Sequence, residues 1–597
     1  MRGSRSGRYD NAAVRAGERK GCFMAQAMNS AQTSKGMSRR AFLSAAGLMG
    51  LAVGATGTFA ASNVSVAHAE EATGAPATNP NAACMETFGK DTAYLPVKKA
   101  QWTQLNGPIG FEADPVDKSK IARTDTCDFL VIGVGLGGMV AGLHAADEGA
   151  NVIGIEKMNQ GRMAWESVGG YNTKLQQEID NVPDPAEYME AIMRASMWRA
   201  RADAVWGFIQ GSGAAIDFLN DMVVKAGKGV SYFSTEQAPA ANKMDVIQAE
   251  HKINIPEGVK WTSWLKGGFV WDSLLETAST YPNFDIRYNT AGVQLTKDAS
   301  GRITGAIAKD ADGYYAIEAS KGVLLATGGY EANPALMQAW VRPEDYHTAE
   351  ALAPCLGPTG DGHMMGLAVG AAMDPVPHCV MSFRSVSQVQ ANKCLSAGIW
   401  VNHQGRRFVN EGLPFNYAAN AVNIARIGGH PVWFLFDEGA VEARSEAMPT
   451  LRDDIVAMEA DGNMVQGDTI EELAAAMKVD PAELAATVEA YNGYFDAEEP
   501  RDLQFNRNIS KAAPLAKGPF YAGKHTNQLL VTVSGLIINE NAQVLDENDD
   551  PIEGLYATGN ASGGLFSDAY PRHLPATSTG RAVTFGYVAA THALKGE

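Results

Sequence analysis

Apolar and polar positions along the chain follow two different periods, which predict strands in some segments and helices in others. From position 128 onward, an apolar run at 129–132 has the length of a buried strand, an Ala-rich helical segment reaches Glu148, and a second strand-like run covers 151–155. Segments from about 185 to 280 have the spacing of amphipathic helices. The turns Asp298–Gly301 and Asp310–Gly313 then separate short strands in a predicted meander. These strands are predicted at 285–288, 292–296, 303–309, 314–319 and 322–326.

The pattern changes after about position 373. Short strands alternate with helices at 471–477 and 481–495, until the earlier pattern returns near 527 and ends in a helix at 580–594. We interpret the fold as α/β, with a Rossmann-like nucleotide-binding domain interrupted by an inserted α+β capping domain. A ligand crevice is expected between the two. The predicted boundaries are 126–373 and 520–597 for the two parts of the nucleotide-binding domain and 374–519 for the capping domain.

The first 69 residues differ from the rest in charge and contain an export pattern. They carry a net charge of +7 in a chain of −18, which leaves −25 for the remainder and argues against nucleic acid as a partner. Ser38–Leu43 is a twin-arginine pattern, an apolar stretch follows to about Ala61, and Ala67–Ala69 is a small-x-small cleavage site. We predict a twin-arginine signal over 1–69, a linker and N-terminal extension over 70–125, and a periplasmic or cell-envelope location. The alternative is a transmembrane anchor, since about 20 apolar residues can span a bilayer.

The six cysteines are scattered without C-x-x-C or C-x-x-C-H spacing, which argues against an attached haem or an iron–sulfur run. Cys127 is expected to pack inside a strand, and no metal site is predicted.

A glycine loop follows the first predicted strand. Gly133–Gly138 fits G-x-G-x-x-G, and Glu156 ends the next strand. Gly133 makes the tight turn, Gly135 lets the backbone approach a pyrophosphate, and Gly138 lets helix and strand pack closely. The helix N-terminus favours phosphates, and Glu156 can accept hydrogen bonds from ribose hydroxyls. This motif alone fits both NAD and FAD.

Five later segments, in order along the chain, resemble motifs of one flavoenzyme superfamily. They are Ser167–Gly170, Leu324–Gly329, Gly360–Met365, Gly554–Asn560 and Thr584–Gly586. Residues from about 127 to 590 thereby resemble the fumarate reductase, urocanate reductase and 3-oxosteroid 1-dehydrogenase superfamily. The resemblance implies non-covalently bound FAD, with Ser167–Gly170 bordering the isoalloxazine ring. It implies a cofactor site formed by Gly133, Gly135, Gly137, Gly138, Glu156, Lys157, Ala164, Ser167, Gly169, Gly170, Val293, Thr327, Gly328, Gly329, Asp361, Gly559, Asn560, Ser578 and Thr579.

The resemblance also implies a chemistry, in which flavin N5 gives a hydride to an activated C=C bond and an acid protonates the neighbouring carbon. His378 matches a family histidine, and residues 400–411 resemble the motif V-N-x-x-G-x-R-F-x-N-E. Phe415 stands where fumarate reductases have the proton-donating arginine, and Val531 or Thr532 stands at their second substrate histidine. Fumarate is therefore not the expected substrate. Arg406 and Arg407 are expected in surface or interdomain ion pairs.

A segment near the C-terminus combines two branches of the family. Tyr570 resembles the ketone-polarising tyrosine of oxosteroid dehydrogenases, and Arg572 resembles the carboxylate-binding arginine of fumarate reductases. Tyr570, Arg572 and His378 are the predicted catalytic residues, with Tyr417 as a candidate replacement acid.

Three functions remain open. The first is an exported reductase of an alkene substrate, an α,β-unsaturated acid or an enone, with electrons from an external donor protein, a cytochrome by family analogy. The second is a 3-oxosteroid-type dehydrogenase working in the oxidative direction. The third is a flavoprotein that only carries electrons or binds a ligand.

Overall fold

The computed structural model describes residues 111–112, 114–161, 167–226, 233–234, 249–254, 267–352, 357–384, 398–413, 415–510, 512–525, 527–567, 569–571 and 574–596. The predicted export signal, Ala164 and Arg572 lie outside these ranges. Within them, no helix combines the length and the apolar character needed to cross a bilayer.

The described strands fall into four sheets. They are β1 (Ile121–Ile132), β2 (Val152–Ile155), β3 (Ser167–Gly169), β4 (Phe233–Ser234), β5 (Glu250–Ile253), β6 (Phe284–Arg287), β7 (Ala291–Lys297), β8 (Ile303–Asp310), β9 (Gly313–Leu325), β10 (Ala349–Leu352), β11 (Val380–Arg384), β12 (Ile399–Val401), β13 (Val432–Asp437), β14 (Met464–Gly467), β15 (Phe520–His525), β16 (Asn527–Thr532), β17 (Gln543–Leu545) and β18 (Pro551–Ala557).

Helices connect and cover these sheets. They are α1 (Leu136–Asp147), α2 (Lys174–Glu178), α3 (Pro185–Ala195), α4 (Ala202–Lys225), α5 (Gly267–Ala278), α6 (Pro334–Trp340), α7 (Pro343–Thr348), α8 (Asp361–Val369), α9 (Phe415–Ala425), α10 (Glu438–Ser445), α11 (Leu451–Ala460), α12 (Ile470–Met477), α13 (Pro481–Asn492) and α14 (Thr577–Lys595).

The largest sheet has eight described strands, six of them in the order β17-β18-β9-β1-β2-β6, with β8 pairing both β9 and β7 beside this row. Strands β18, β9, β1, β2 and β6 are parallel. The apolar run Phe129–Ile132 is buried throughout, as expected for a parallel strand covered on both faces. Helix α1 is buried along nearly its whole length, because it packs against the sheet on one side and α14 on the other. The predicted α/β class is confirmed.

Two sequence expectations were wrong in detail. Strands predicted at 314–319 and 322–326 form the single strand β9, because β1 pairs with it on both sides of the polar residues Ser320 and Lys321. The segment predicted as helical from 185 to 280 also contains β4 and β5, which pair with β3 in a small antiparallel sheet. In both cases the cause is a backbone pairing between segments that are distant in the sequence.

The second large sheet is antiparallel and has the order β12-β13-β15-β14. Successive residues of β13 point to opposite faces, so Phe434 and Phe436 join one apolar cluster while Trp433 and Leu435 join another. Helices cover both clusters, which gives this segment an α+β character. The residue boundaries of the two domains stay a prediction.

Arg407 is buried inside this second sheet region, in contrast to the expected surface or interdomain pairing. Its Nε and Nη2 donate to the two carboxylate oxygens of Glu411 at 2.8 and 2.7 Å, and Nη2 also donates to Asp502 at 2.7 Å. Arg507 donates to Glu411 at 3.2 Å. The neighbouring Arg406 does form the expected surface pair, with a side chain that is 56% exposed.

The adjacent arginines 406 and 407 provide a matched test of buried against exposed ion pairs. Arg407→Met is expected to lower the free energy of unfolding by about 3–5 kcal/mol, because it leaves buried carboxylates short of a partner. Arg406→Met, which removes only the pair with Glu483, should cost no more than about 1 kcal/mol. Thermal unfolding of both variants beside the wild type checks this. Equal midpoints for the two variants would contradict the assigned role of Arg407.

Candidate active site

Predicted cofactor residues come together at one edge of the main sheet. Gly133 follows β1, Glu156 follows β2, Thr327 lies just beyond β9, and Gly559 lies just beyond β18. These four strands are parallel neighbours. Since the carboxyl ends of parallel strands meet at the same edge, this is where an α/β sheet binds its ligand.

The glycine loop has the close contacts that its motif predicts. Gly133 has a φ of +96°, and a Cβ on Gly138 would lie 2.0 Å from the carbonyl oxygen of Gly133. Gly135 caps α1 without a side-chain hydrogen bond, and the first turn carries no acidic residue. The first N–H groups of α1 therefore have no side-chain cap and can bind phosphate oxygens.

The carboxylate of Glu156 is held in place by the backbone around the loop. Its oxygens accept hydrogen bonds from Val134 N at 3.0 Å and Met158 N at 2.9 Å. Burial raises the pKa of Glu156, and these two donors oppose that effect. Each oxygen keeps a second lone pair, so the predicted contact with ribose hydroxyls stays available.

Lys157 and Asp361 are joined directly. The ammonium group of Lys157 lies 2.8 Å from Asp361 Oδ2 and also donates to Thr359, which ties the end of β2 to the start of α8. Val293 is buried in β7, and its carbonyl oxygen accepts from Glu112 N at 3.2 Å. The charges of Lys157 and Asp361 both act on Glu156. Contact of Lys157, Asp361 and Val293 with a cofactor stays a prediction.

The loop that was predicted to border the flavin ring packs on the start of α14. Gly169 N donates to Ala576 O at 2.9 Å, and the hydroxyl of Thr579 donates to Ser167 O at 2.7 Å. The hydroxyl oxygens of Ser167 and Thr327 are buried and have no partner among the described residues. Two orphaned hydroxyls and the uncapped start of α1 fit a bound FAD, which would supply partners for all three.

Tyr570 lies beside this cradle. It is buried, its ring makes an edge contact with Phe566 at 5.4 Å between centroids, and its hydroxyl oxygen lies 3.4 Å from Ser578 N. The structure therefore places one predicted catalytic residue next to a predicted cofactor residue.

His378 is engaged on both ring nitrogens. Nδ1 lies 2.7 Å from Tyr330 OH, and Nε2 lies 2.8 Å from Asp374 O. A carbonyl oxygen can only accept, so Nε2 carries the proton and Nδ1 accepts from Tyr330. Burial lowers the pKa of His378 to about 4, so the ring is neutral. No ring nitrogen is left for a substrate, and the geometry assigns His378 a structural role instead of the catalytic one.

Tyr417 lies in the first turn of α9 and is half-buried. Burial raises the pKa of its hydroxyl. Among the described residues, that hydroxyl has no hydrogen-bond partner, so its role as an acid stays a prediction.

Glu331 is a buried carboxyl group that sequence reasoning missed. It follows the Thr327–Gly329 turn and accepts from the hydroxyl of Thr532 at 2.9 Å and from Thr532 N at 3.2 Å. The hydroxyl of Thr532 is therefore bonded to Glu331, and Thr532 does not take the place of the second substrate histidine of fumarate reductases. Burial raises the pKa of Glu331 to about 7. An acidic residue two positions after the glycine turn was the available signal in the sequence.

The raised pKa of Glu331 predicts a pH dependence of stability. Between the ordinary carboxyl pKa and about 7 the folded state binds more protons than the unfolded state, so this group's contribution to stability falls as pH rises through that window. At 1.36 kcal/mol per unit, the effect is on the order of 3 kcal/mol. Glu331→Gln should flatten that slope and be at least as stable as the wild type above pH 7. Unfolding midpoints across pH test this, and an unchanged slope would contradict it.

Comparison with known proteins agrees with this geometry. The profile of the FAD binding domain family matches residues 128–573. The chain is 28% identical to a probable fumarate reductase, Ifc3, of Shewanella frigidimarina, over 86% of this chain and 82% of that protein. It is 26% identical to a vinyl phenol reductase of Lactiplantibacillus plantarum, over 79% of this chain and 97% of that protein.

A solved structure is similar as well. The open conformation of a flavocytochrome c3 fumarate reductase superposes with a TM-score of 0.59 at 26% identity, over 81% of each chain. The family profile covers more than half of the chain, and the resemblance inferred from the sequence motifs is confirmed. The chain therefore belongs to the FAD binding domain family and is an FAD-dependent oxidoreductase of the fumarate reductase type.

Proposed function

We propose that this chain is an exported reductase that saturates an activated C=C bond in an α,β-unsaturated acid or an enone. When bound, FAD supplies the hydride from N5 of its reduced ring. The protein must hold the alkene beside that ring, polarise its carbonyl or carboxylate, and supply one proton. One hydride and one proton convert C=C to CH–CH, and two electrons from a donor with one proton from solvent would restore the reduced flavin.

The placement of Tyr570 carries the proposal. Its hydroxyl lies at the start of α14, next to Ser578 and close to the Ser167–Gly170 loop through the Gly169–Ala576 hydrogen bond. A phenol at such a place can donate a hydrogen bond to a substrate carbonyl or a proton to carbon. Relatives named as a probable fumarate reductase and a vinyl phenol reductase support C=C reduction as the reaction class.

Val531 or Thr532 stands where fumarate reductases have their second substrate histidine, and either residue favours a substrate with a single polar group. Val531 of β16 pairs with Met381 of β11, and Thr532 is bonded to Glu331. No imidazole stands at this position to bind a second carboxylate. We therefore infer an enone or a monocarboxylic acid in preference to a small dicarboxylate.

The electron donor in this proposal is a separate protein. The chain has no C-x-x-C-H sequence to attach a haem, while one similar structure is a flavocytochrome. A small cytochrome is the donor we infer, in anaerobic respiration outside the cytoplasm. The export pattern at Ser38–Leu43 supports that location.

Two paired assays distinguish the proposal from its alternatives. Under anaerobic conditions, reduced viologen should be oxidised when the protein is given a cinnamate-like acid or an enone. Dye-linked oxidation of saturated 3-oxosteroids in the same preparation should be slower. Faster oxidation would indicate a 3-oxosteroid-type dehydrogenase. Inactivity of the FAD-loaded protein in both assays would indicate an electron carrier.

A further inference from the structure

Arg581 lies fully buried in the second turn of α14, surrounded by uncharged acceptors. Its Nη1 donates to Val533 O at 2.8 Å and Ser562 O at 3.0 Å, and its Nη2 donates to Asn560 Oδ1 at 2.6 Å. The ring centre of Phe566 lies 4.6 Å from the guanidinium carbon. The side chain is thus rigidly held by carbonyl oxygens and an aromatic face.

No carboxylate in contact neutralises this charge. Within the described part of the chain, Arg581 forms no ion pair within 4.0 Å, and its Nε is buried without a partner. Burial lowers the pKa of Arg581 to about 10, so the group stays protonated at neutral pH. An uncompensated buried cation is costly, which makes Arg581 a candidate functional group.

The charge lies beside residues of the predicted FAD site. Asn560, which accepts from Arg581, is a predicted cofactor residue, and Thr579 lies two residues before it in α14. The next residue, Ala582, accepts a hydrogen bond at 2.9 Å from Thr558, at the end of β18. Arg581 therefore touches the predicted cofactor site from within the protein, through Asn560.

Three other polar groups act on this cation. Asp374 attracts it from beyond contact distance, but its carboxylate already accepts from the N–H groups of Gly535 and Gly564, each at 3.0 Å. Tyr570 also faces it. Burial lowers the pKa of His363 to about 3, so that ring is neutral. The guanidinium is thus the one positive charge among these groups.

We propose that Arg581 is a positioning residue that raises the reduction potential of bound FAD by stabilising the anionic form of the reduced ring. Full reduction takes two electrons and one proton, and it leaves one negative charge on a ring that was neutral. A fixed cation in a low-dielectric site stabilises that charge and opposes uptake of a second proton. The proposal rests on FAD binding and does not depend on which alkene is reduced.

The test is an equilibrium reduction of the FAD-loaded protein with dithionite against a dye of known potential. Arg581→Met should lower the ratio of reduced to oxidised FAD at a fixed potential by about 10- to 100-fold. Each tenfold change corresponds to 29.6 mV for a two-electron couple. Arg581→Lys, which keeps the charge, should stay near the wild type. Lys595→Met is the matched control, because it removes one exposed positive charge at the far end of the same helix.

Two outcomes would overturn the proposal. One is that the Arg581→Met protein keeps its FAD and the bound FAD has the same reduction potential as in the wild type. Arg581 would then have only a structural role. The other comes from a measurement of proton uptake during reduction of the wild-type protein at mildly acidic pH. This measurement does not depend on whether the variant folds. As the pH is lowered, reduction of free FAD changes from uptake of one proton per two electrons to uptake of two. Bound FAD should make this change at a lower pH than free FAD in the same buffers. The same proton uptake by bound and free FAD would contradict a stabilising cation.

Discussion

Gly138→Ala is expected to weaken the binding of FAD and to lower the amount of FAD that is purified with the protein. The new Cβ would lie 2.0 Å from the carbonyl oxygen of Gly133, a backbone atom that cannot rotate away. Overpacking of this kind costs about 1–3 kcal/mol. A loss of 1.4 kcal/mol in binding free energy weakens affinity about tenfold. Because relief requires the loop itself to move, the dissociation constant for FAD should rise about 10- to 100-fold. The flavin-to-protein ratio and a fluorescence titration with FAD measure this.

Gly493→Ala is the matched control for this substitution. Gly493 has a φ of −60°, and a Cβ there meets no atom within 4 Å, so the flavin content should not change. Full FAD occupancy with wild-type affinity in Gly138→Ala would show that the Gly133–Gly138 loop does not bind the cofactor.

Tyr570→Phe should lower kcat by about 100-fold or more while FAD remains bound. The substitution keeps the ring that packs against Phe566 and removes only the hydroxyl at the start of α14. General acid catalysis by a positioned side chain contributes about 10²–10⁴-fold. Viologen-linked turnover, with kcat and KM determined separately, measures the effect.

Tyr491→Phe is a suitable control, since it removes a different tyrosine hydroxyl from a buried ring. That hydroxyl donates to Ala513 O at 3.1 Å in the second sheet region, far along the chain from the cofactor motifs. Its turnover should equal that of the wild type. If Tyr570→Phe raised KM with kcat unchanged, Tyr570 would bind substrate equally in ground and transition states and would not be the acid.

The cofactor cradle could be predicted from the sequence because its signals are local. The Gly133–Gly138 loop needs glycine at fixed spacing, and Glu156 ends the next buried strand. The last helix was also predicted, but it begins at Thr577 instead of 580. In its first turn, the hydroxyl of Thr577 donates to Leu574 O, so a polar residue that suggests a loop belongs to the helix.

The polar interior could not be predicted, because its partners are distant in the sequence or are backbone carbonyl oxygens. His378 was expected to contact substrate, yet Tyr330 and Asp374 occupy both of its ring nitrogens. Arg581 lies in a segment of small residues, and nothing in its neighbourhood along the chain indicates the acceptors Val533 and Ser562. Long-range hydrogen bonds of this kind decide whether a histidine or arginine is structural or functional.

The most direct measurement of the central claim is a single-turnover reaction of the reduced protein with alkenes. The purified FAD-loaded protein is reduced with one equivalent of dithionite without oxygen, then mixed with a cinnamate-like acid, an enone or fumarate. We predict that the acid or the enone reoxidises the flavin and yields one saturated product per FAD, faster than fumarate does. Flavin that stays reduced with each alkene, but is reoxidised by a dye, would contradict the assignment of this chain as an alkene reductase.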